Sequence, residues 1–199
     1  MLSTQEISRS LTGALMLVKG RREGMAAFDL SLTGFWRSFG AVFLILPIYV
    51  ITMVAQRHVL ISDTELTAEA FPDNAFFVGN LIGFFLDWIA FPILAALIAR
   101  PIGFADRYVP FIVARNWTSV IAILPYSIPI VLYSLGILTP ELTTILTLAA
   151  ILFVLYYRFV VTRISLDATV SLALGLVVLD LVLSLVLGEI INRLIGLTA

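Results

Sequence analysis

The stretch SFGAVFLILPIYVITMVAQ, residues 38–56, decides the class of this protein because it contains no charged side chain. A helix needs about 20 mostly apolar residues to cross the hydrocarbon layer of a bilayer, and this stretch is long enough. The composition of the whole chain agrees, since 61% of its 199 residues are hydrophobic and 13% are charged. Soluble domains contain about half apolar and about a quarter charged residues. The sequence therefore predicts an integral membrane protein.

Four more apolar stretches of similar length follow the first one along the chain. Together they predict an all-α fold, an integral membrane helical bundle of five transmembrane helices that forms one domain over residues 38–199. The polar triplet Arg115-Asn116-Trp117 interrupts the third apolar block, so we assign residues 108–117 to an entry segment near the membrane interface. The predicted spans are residues 38–56, 76–99, 118–138, 142–164 and 168–191.

Residues 1–37 precede the first span and are predicted to form cytoplasmic amphipathic helices that lie on the membrane surface. Ser3 and Glu6 have the spacing of a capping box, and apolar residues then recur at helical spacing. A second stripe of aromatic and apolar residues follows a basic turn, a pattern typical of interfacial helices. The alternative is that this stripe packs against the spans as ordinary core. The stripe consists of Met25, Phe28, Leu32, Phe35, Trp36 and Phe39.

The distribution of lysine and arginine predicts the orientation, because these residues are retained on the cytoplasmic side of a membrane. With the N-terminus in the cytoplasm, ten of the twelve lie in cytoplasmic segments or at that interface, and only Arg57 and Arg193 lie on the far side. An odd number of spans then places the C-terminus on the opposite side. The pattern suits a bacterial inner membrane, which we expect, and would also suit a eukaryotic endomembrane.

The composition excludes several classes of function. The chain has no cysteine and a single histidine, His58, so thiolate chemistry and histidine clusters for metals are ruled out. A net charge of −1 is too weak to attract nucleic acid. No phosphate-binding glycine loop, GxSxG elbow or HExxH motif occurs. We therefore predict no catalytic activity, no cofactor and no bound metal.

Two aspartates provide the sharpest site hypothesis. Asp87 and Asp180 lie near the middle of the second and fifth spans, at matching depths, where a charged side chain is costly and rare. Asn80 shares a helical face with Asp87. Ser184 likewise shares one with Asp180, and polar faces of this kind pack against other helices.

Two interpretations of these intramembrane residues remain open. One is a proton or cation relay that runs through both carboxyl groups. The other is a pair of protonated carboxyl groups that form hydrogen bonds to neighbouring helices and stabilise their packing. The sequence favours protonated acids, because it predicts no basic residue at the depth of the two aspartates.

A second cluster lies at the predicted cytoplasmic interface and contains Arg100, Arg107, Arg115 and Trp117. The simple interpretation is that the arginines extend to the lipid headgroups beside an interfacial tryptophan. The alternative is a specific site for an anionic lipid headgroup or a substrate phosphate.

The segments GFADRYVPFIVARNW, residues 103–117, and LPYSIPIVLY, residues 124–133, carry a resemblance to a known family. Together with the five spans and the amphipathic N-terminal region, they resemble the Yip family of small membrane proteins, including its bacterial members. The resemblance is mainly topological and covers residues 38–197. It implies a non-enzymatic role in membrane organisation or partner binding, and it implies no site residue.

These observations support three functional hypotheses. The leading one is a scaffold or accessory subunit of a membrane complex, with other membrane protein subunits or a second copy of the chain as partners beside the lipid bilayer. The second is a small transporter or transporter subunit that works through Asp87 and Asp180. The third, a lipid-binding or lipid-modifying protein, depends on the cytoplasmic arginines.

Overall fold

The computed structural model describes residues 2–63, 69–194 and 196. Within these residues it contains seven α-helices and no strand, which confirms the predicted all-α fold. Short 3-10 turns occupy Arg22–Ala27, Phe39–Ala41 and Ala105–Arg107. The helices are α1 Thr4–Val18, α2 Leu32–Ser38, α3 Val42–Asp63, α4 Asp73–Ile102, α5 Tyr108–Ser134, α6 Pro140–Leu166 and α7 Val170–Leu194.

Five helical segments of the described chain are long and apolar enough to cross a bilayer. They match the five predicted spans, and leucine, isoleucine and valine side chains dominate the large apolar surface that they expose. Such a surface is stable in lipid and not in water. The chain is therefore a multi-pass membrane protein. The segments are Leu32–Ser62, Asp73–Ile102, Ala105–Ser134, Pro140–Leu166 and Val170–Leu194.

The helix boundaries differ from the prediction at two places. The third long helix begins at Tyr108, so residues 108–117 form its first turns rather than a separate entry segment. The polar triplet in this stretch does not interrupt the helix, because its side chains pack and form hydrogen bonds inside the bundle. The second predicted interfacial helix is also short, since α2 continues through Phe39–Ala41 into α3.

The five long helices form a ring. Helix α5 packs against α3 on one side and α6 on the other, and α7 connects α6 to α4. The ring closes between α3 and α4, which contact each other at few residues. At this contact the ring of Tyr49 stacks on Phe84 with 4.4 Å between centroids, and the Tyr49 hydroxyl donates to the Asn80 carbonyl at 3.2 Å. The contact between α3 and α4 is therefore the smallest between neighbouring long helices of the ring.

Helix α1 packs on α5 and α6 near the end of the bundle where α5 begins and α6 ends, which we call the α1 end. The side chain of Ser3 caps the helix by accepting a hydrogen bond from the Glu6 amide at 3.1 Å. Ala14 and Leu17 are fully buried against the bundle, and Glu6 forms an ion pair with Arg37. One face of α1 is thus part of the protein core rather than a surface that rests on lipid.

We expect the variant Tyr157→Phe to loosen α1 from the bundle. The Tyr157 hydroxyl donates to the Ala14 carbonyl at 2.7 Å in a buried position, and one such hydrogen bond contributes about 1 kcal/mol to stability. Limited proteolysis after Lys19 in detergent should then become faster. The exposed neighbour Tyr156 offers a matched control, because the protease should cleave the variant Tyr156→Phe at the same rate as the wild type. Equal rates for both variants would contradict the proposed anchoring role.

Candidate functional site

A cavity of about 530 Å³ lies between the five long helices, and each of them contributes to its wall. We call it the central cavity. Its volume falls in the range of about 300–1,000 Å³ that is typical of small-molecule sites. Aliphatic side chains form the largest part of its lining, and hydroxyl, amide and aromatic side chains together with four charged residues form the rest. These four are Asp87 from α4, Arg115 from α5, Arg158 from α6 and Asp180 from α7.

Three of the charged residues form an ion cluster at the side of the central cavity that faces the α1 end. The Asp180 carboxylate accepts a hydrogen bond from Arg115 Nη2 at 2.8 Å on Oδ1 and binds Arg158 through Oδ2. Asp180 is 4% exposed and Arg115 is 6% exposed. We call this group the Arg–Asp–Arg triad. A low dielectric strengthens such pairs, while the burial of each charge is costly.

The triad contradicts the expectation that no basic residue lies at the depth of the aspartates. Arg115 lies seven residues into α5 and Asp180 ten residues into α7. Arg158 lies eight residues before the end of α6. At 1.5 Å per residue these positions are roughly 10–15 Å from the helix ends. The predicted third span began at residue 118 and left Arg115 outside it, whereas α5 begins at Tyr108. Arg158 was assigned to the end of the fourth span, although α6 continues for eight residues after it.

The structure separates the four residues of the cluster predicted at the cytoplasmic interface into an exposed pair and a buried pair. Arg100 and Arg107 are exposed around the turn that joins α4 to α5, where headgroups can reach them. Arg115 and Trp117 do not lie at that surface, so the prediction that they contact lipid headgroups is corrected. The Arg115 guanidinium lies over the Phe91 ring at 4.5 Å from its centroid, and Trp117 is 1% exposed. Both side chains belong to the interior because the first turns of α5 are enclosed by neighbouring helices.

The two aspartates line the same cavity and have different partners. Asp87 accepts a hydrogen bond from the Ser184 hydroxyl at 2.6 Å, whereas Asp180 binds two arginines. Asn80 donates its side-chain amide to the Phe76 carbonyl at 2.8 Å and lines the wall farther from the α1 end. The structure thus brings together all four residues that the sequence analysis singled out for an intramembrane site, together with two arginines.

Two buried donors at the central cavity have no acceptor within the described part of the chain. These are Trp88 Nε1 and Arg115 Nε, and both residues line the cavity. Trp88 is 7% exposed. A buried donor without a partner costs about 1–3 kcal/mol, and native structures contain few of them. Both atoms are enclosed by protein, so neither is presented to the open volume of the cavity.

The triad separates the central cavity from a much smaller one. A pocket of about 20 Å³, enough for about one water molecule, lies beyond the triad toward the α1 end and is lined by Tyr157 and Thr162. Toward the other end of the bundle, a cavity of about 580 Å³ shares Gln56 and Asn80 with the central cavity. The triad therefore closes one end of the central cavity, while polar side chains continue toward the other end.

The sequence pattern did not distinguish Arg158 as a site residue. It assigned this arginine to the cytoplasmic end of the fourth span because charged residues usually mark the end of a span. Arg163, five residues later, is the basic residue in the last turn of α6. The available signal was that the second half of this apolar stretch contains two arginines. The first of them is followed by more than two further turns of helix, which indicates that it lies inside the membrane-spanning part.

No group of three or more histidine, cysteine, aspartate or glutamate residues that could hold a metal ion occurs in the described ranges. No family model, curated protein or solved structure matches the chain significantly.

Proposed function

We propose that this multi-pass membrane protein binds a small polar solute in the central cavity and moves it across the bilayer, as a small transporter or transporter subunit without catalytic activity. The observation that carries the proposal is a cavity of about 530 Å³ that presents charges of both signs between five apolar helices. Charged side chains at this depth are costly, and they mark solute or ion pathways. A scaffold needs no such cavity.

The triad supports a mechanism of alternating access. Asp180 holds Arg115 and Arg158 together at the α1 end of the cavity, so a solute cannot pass while these bonds remain. An anionic group that competes with Asp180 for the arginines would release the contact between α5, α6 and α7. Such a solute has different affinities for the closed and open states, and this difference is what shifts a conformational equilibrium.

The orientation and the compartment belong to the same proposal. The distribution of lysine and arginine supports a cytoplasmic α1 end and a bacterial inner membrane. The triad would then be the cytoplasmic gate, and the cavity of about 580 Å³ would be the entrance on the opposite side. The resemblance to the Yip family stays a prediction, and so does the role of a scaffold or accessory subunit that it implies.

Cysteine accessibility tests the proposed transport. The chain contains no cysteine, so Ser119→Cys introduces a single thiol at a position that lines both the central cavity and the small pocket beyond the triad. We expect a membrane-impermeant cationic methanethiosulfonate to modify this thiol in right-side-out vesicles and also in inverted vesicles. Both reactions occur only if the cavity is accessible from each side of the membrane.

The matched control is Leu152→Cys, because Leu152 is exposed on the outer surface of α6. A thiol that faces lipid cannot ionise to the reactive thiolate, so this variant should stay unmodified from both sides. If the thiol of Ser119→Cys reacts from one side only, the cavity is a binding pocket open to that side, and the proposed transport is contradicted.

A further inference from the structure

We propose that the solute is a small zwitterion, and that Arg158 binds its anionic group while Asp87 binds its ammonium group. This inference rests on the proposed function, because it identifies the chemical class that the central cavity accepts.

Arg158 is the accessible cation of the cavity. Its side chain is 30% exposed although it lies eight residues before the end of α6, and the triad uses one of its nitrogens, Nη1. A guanidinium has five N–H donors in a planar fork that matches carboxylate and phosphate groups.

Asp87 is the accessible anion. Its carboxyl group accepts one hydrogen bond, from Ser184, and no salt bridge to it occurs among the described residues. An ionised carboxylate offers about four acceptor sites, so most of this capacity is open to a ligand. An ammonium group supplies three donors and one positive charge, which match the remaining acceptor sites of Asp87.

Helix α7 relates the depths of the two groups. Asp180, which binds Arg158, and Ser184, which binds Asp87, are four residues apart on α7. Four residues correspond to a rise of about 6 Å, so the partners of the two charged groups differ in depth by about one helical turn. Both charged groups line the central cavity, so a solute that binds both carries its two charges within the span of this one cavity.

The balance of charge selects a zwitterion over a simple ion. The cavity contains two arginines and two aspartates, so its formal charge is zero. A monovalent anion or cation would add an uncompensated charge in a low-dielectric site, which is strongly unfavourable. A zwitterion leaves the net charge unchanged and gives both accessible groups a partner.

Ligand-induced stabilisation of the full-length purified protein tests the assignment. The probes are an equimolar mixture of the twenty free amino acids, the corresponding acids without the amino group, and the corresponding amines without the carboxyl group. We expect the amino acids to raise the melting temperature of the wild type in a concentration-dependent manner, and neither of the other mixtures to do so at equal concentration.

Two variants assign the groups. Asp87→Asn should raise the apparent Kd for amino acids at least tenfold and should bring the acids without an amino group to equal or better affinity. Arg158→Gln should cause a similar loss of amino-acid binding, and if it unfolds, Asp87→Asn alone still decides the assignment. The controls Asp106→Asn and Arg193→Gln change exposed charges outside the cavity and should bind as the wild type does.

A lipid headgroup could present the same chemistry, and a second arm of the experiment separates the two sources. Nanodiscs with phosphatidylethanolamine are compared with nanodiscs that contain only phosphatidylglycerol. If phosphatidylethanolamine stabilises the protein through Asp87 and free amino acids do not, the zwitterion comes from lipid.

Two results would overturn the proposal. One is equal stabilisation of the wild type by acids without an amino group, and the other is the absence of a response to any zwitterion. Neither result alters the outcome of cysteine labelling, so a failure here is distinguishable from a failure of the proposed transport.

Discussion

Asp180→Ala is expected to lower the free energy of unfolding by about 3–5 kcal/mol, since the loss of one partner leaves buried charges uncompensated. Arg115 and Arg158 both bind the Asp180 carboxylate, and Arg115 has almost no contact with solvent. Without Asp180 the two guanidinium groups would repel each other in the bundle interior. The measurement is reversible unfolding in mixed detergent micelles, followed by tryptophan fluorescence.

Two further variants show whether the loss comes from charge rather than from packing. Asp180→Ala combined with Arg115→Met and Arg158→Leu removes the whole triad, and replacement of a buried ion cluster by apolar side chains is often neutral. We therefore expect this triple variant to recover most of the stability. Glu189→Ala, which breaks the exposed pair with Arg193, should cost no more than about 1 kcal/mol. A single variant Asp180→Ala with wild-type stability would show that the triad is not formed in the membrane.

Trp117→Ala is expected to lower the free energy of unfolding by about 3 kcal/mol, near the lower limit for truncation of a buried aromatic residue. The lower limit applies because lipid is as apolar as the protein core, so the loss consists mainly of packing contacts. Trp117 is 1% exposed, and its removal leaves a cavity next to α5. The same unfolding assay measures the effect.

Trp36→Ala is the matched control for this prediction. Trp36 is 71% exposed on α2 and should behave as an interfacial side chain, with an effect below about 1 kcal/mol. Similar losses for both variants would place Trp117 at the membrane surface, where the sequence alone had placed it. A large difference between the two tryptophans would support the burial of the first turns of α5.

The triad changes the interpretation of the intramembrane carboxyl groups. Two protonated acids that only stabilise helix packing were one hypothesis, but Asp180 is bound by two arginines. Asp87 has only a hydroxyl group as its partner. The two aspartates therefore have separate roles in the proposed transport, Asp180 in closing the cavity and Asp87 in binding the solute.

Much of the site could be anticipated from the sequence, and its electrostatics could not. Asp87, Asp180, Asn80 and Ser184 stand out because polar residues are rare within apolar spans, and the structure places all four on one cavity. Arg158 did not stand out, because an arginine near the end of an apolar stretch usually marks the membrane surface. The predicted end of this span, residue 164, lies close to the end of α6 at Leu166, so the missing information was the partner of Arg158, Asp180 on α7.

The sequence by itself determined that five apolar segments cross a membrane as helices, because lipid requires every backbone polar group of a span to be satisfied within the span. It also determined which few residues are costly enough at that depth to need a partner. Only the tertiary structure decided which partners meet. Helices that are apolar on all sides carry little information about the face that turns inward, so the pairing of Asp180 with Arg115 and Arg158 depends on how α5, α6 and α7 pack around the central cavity.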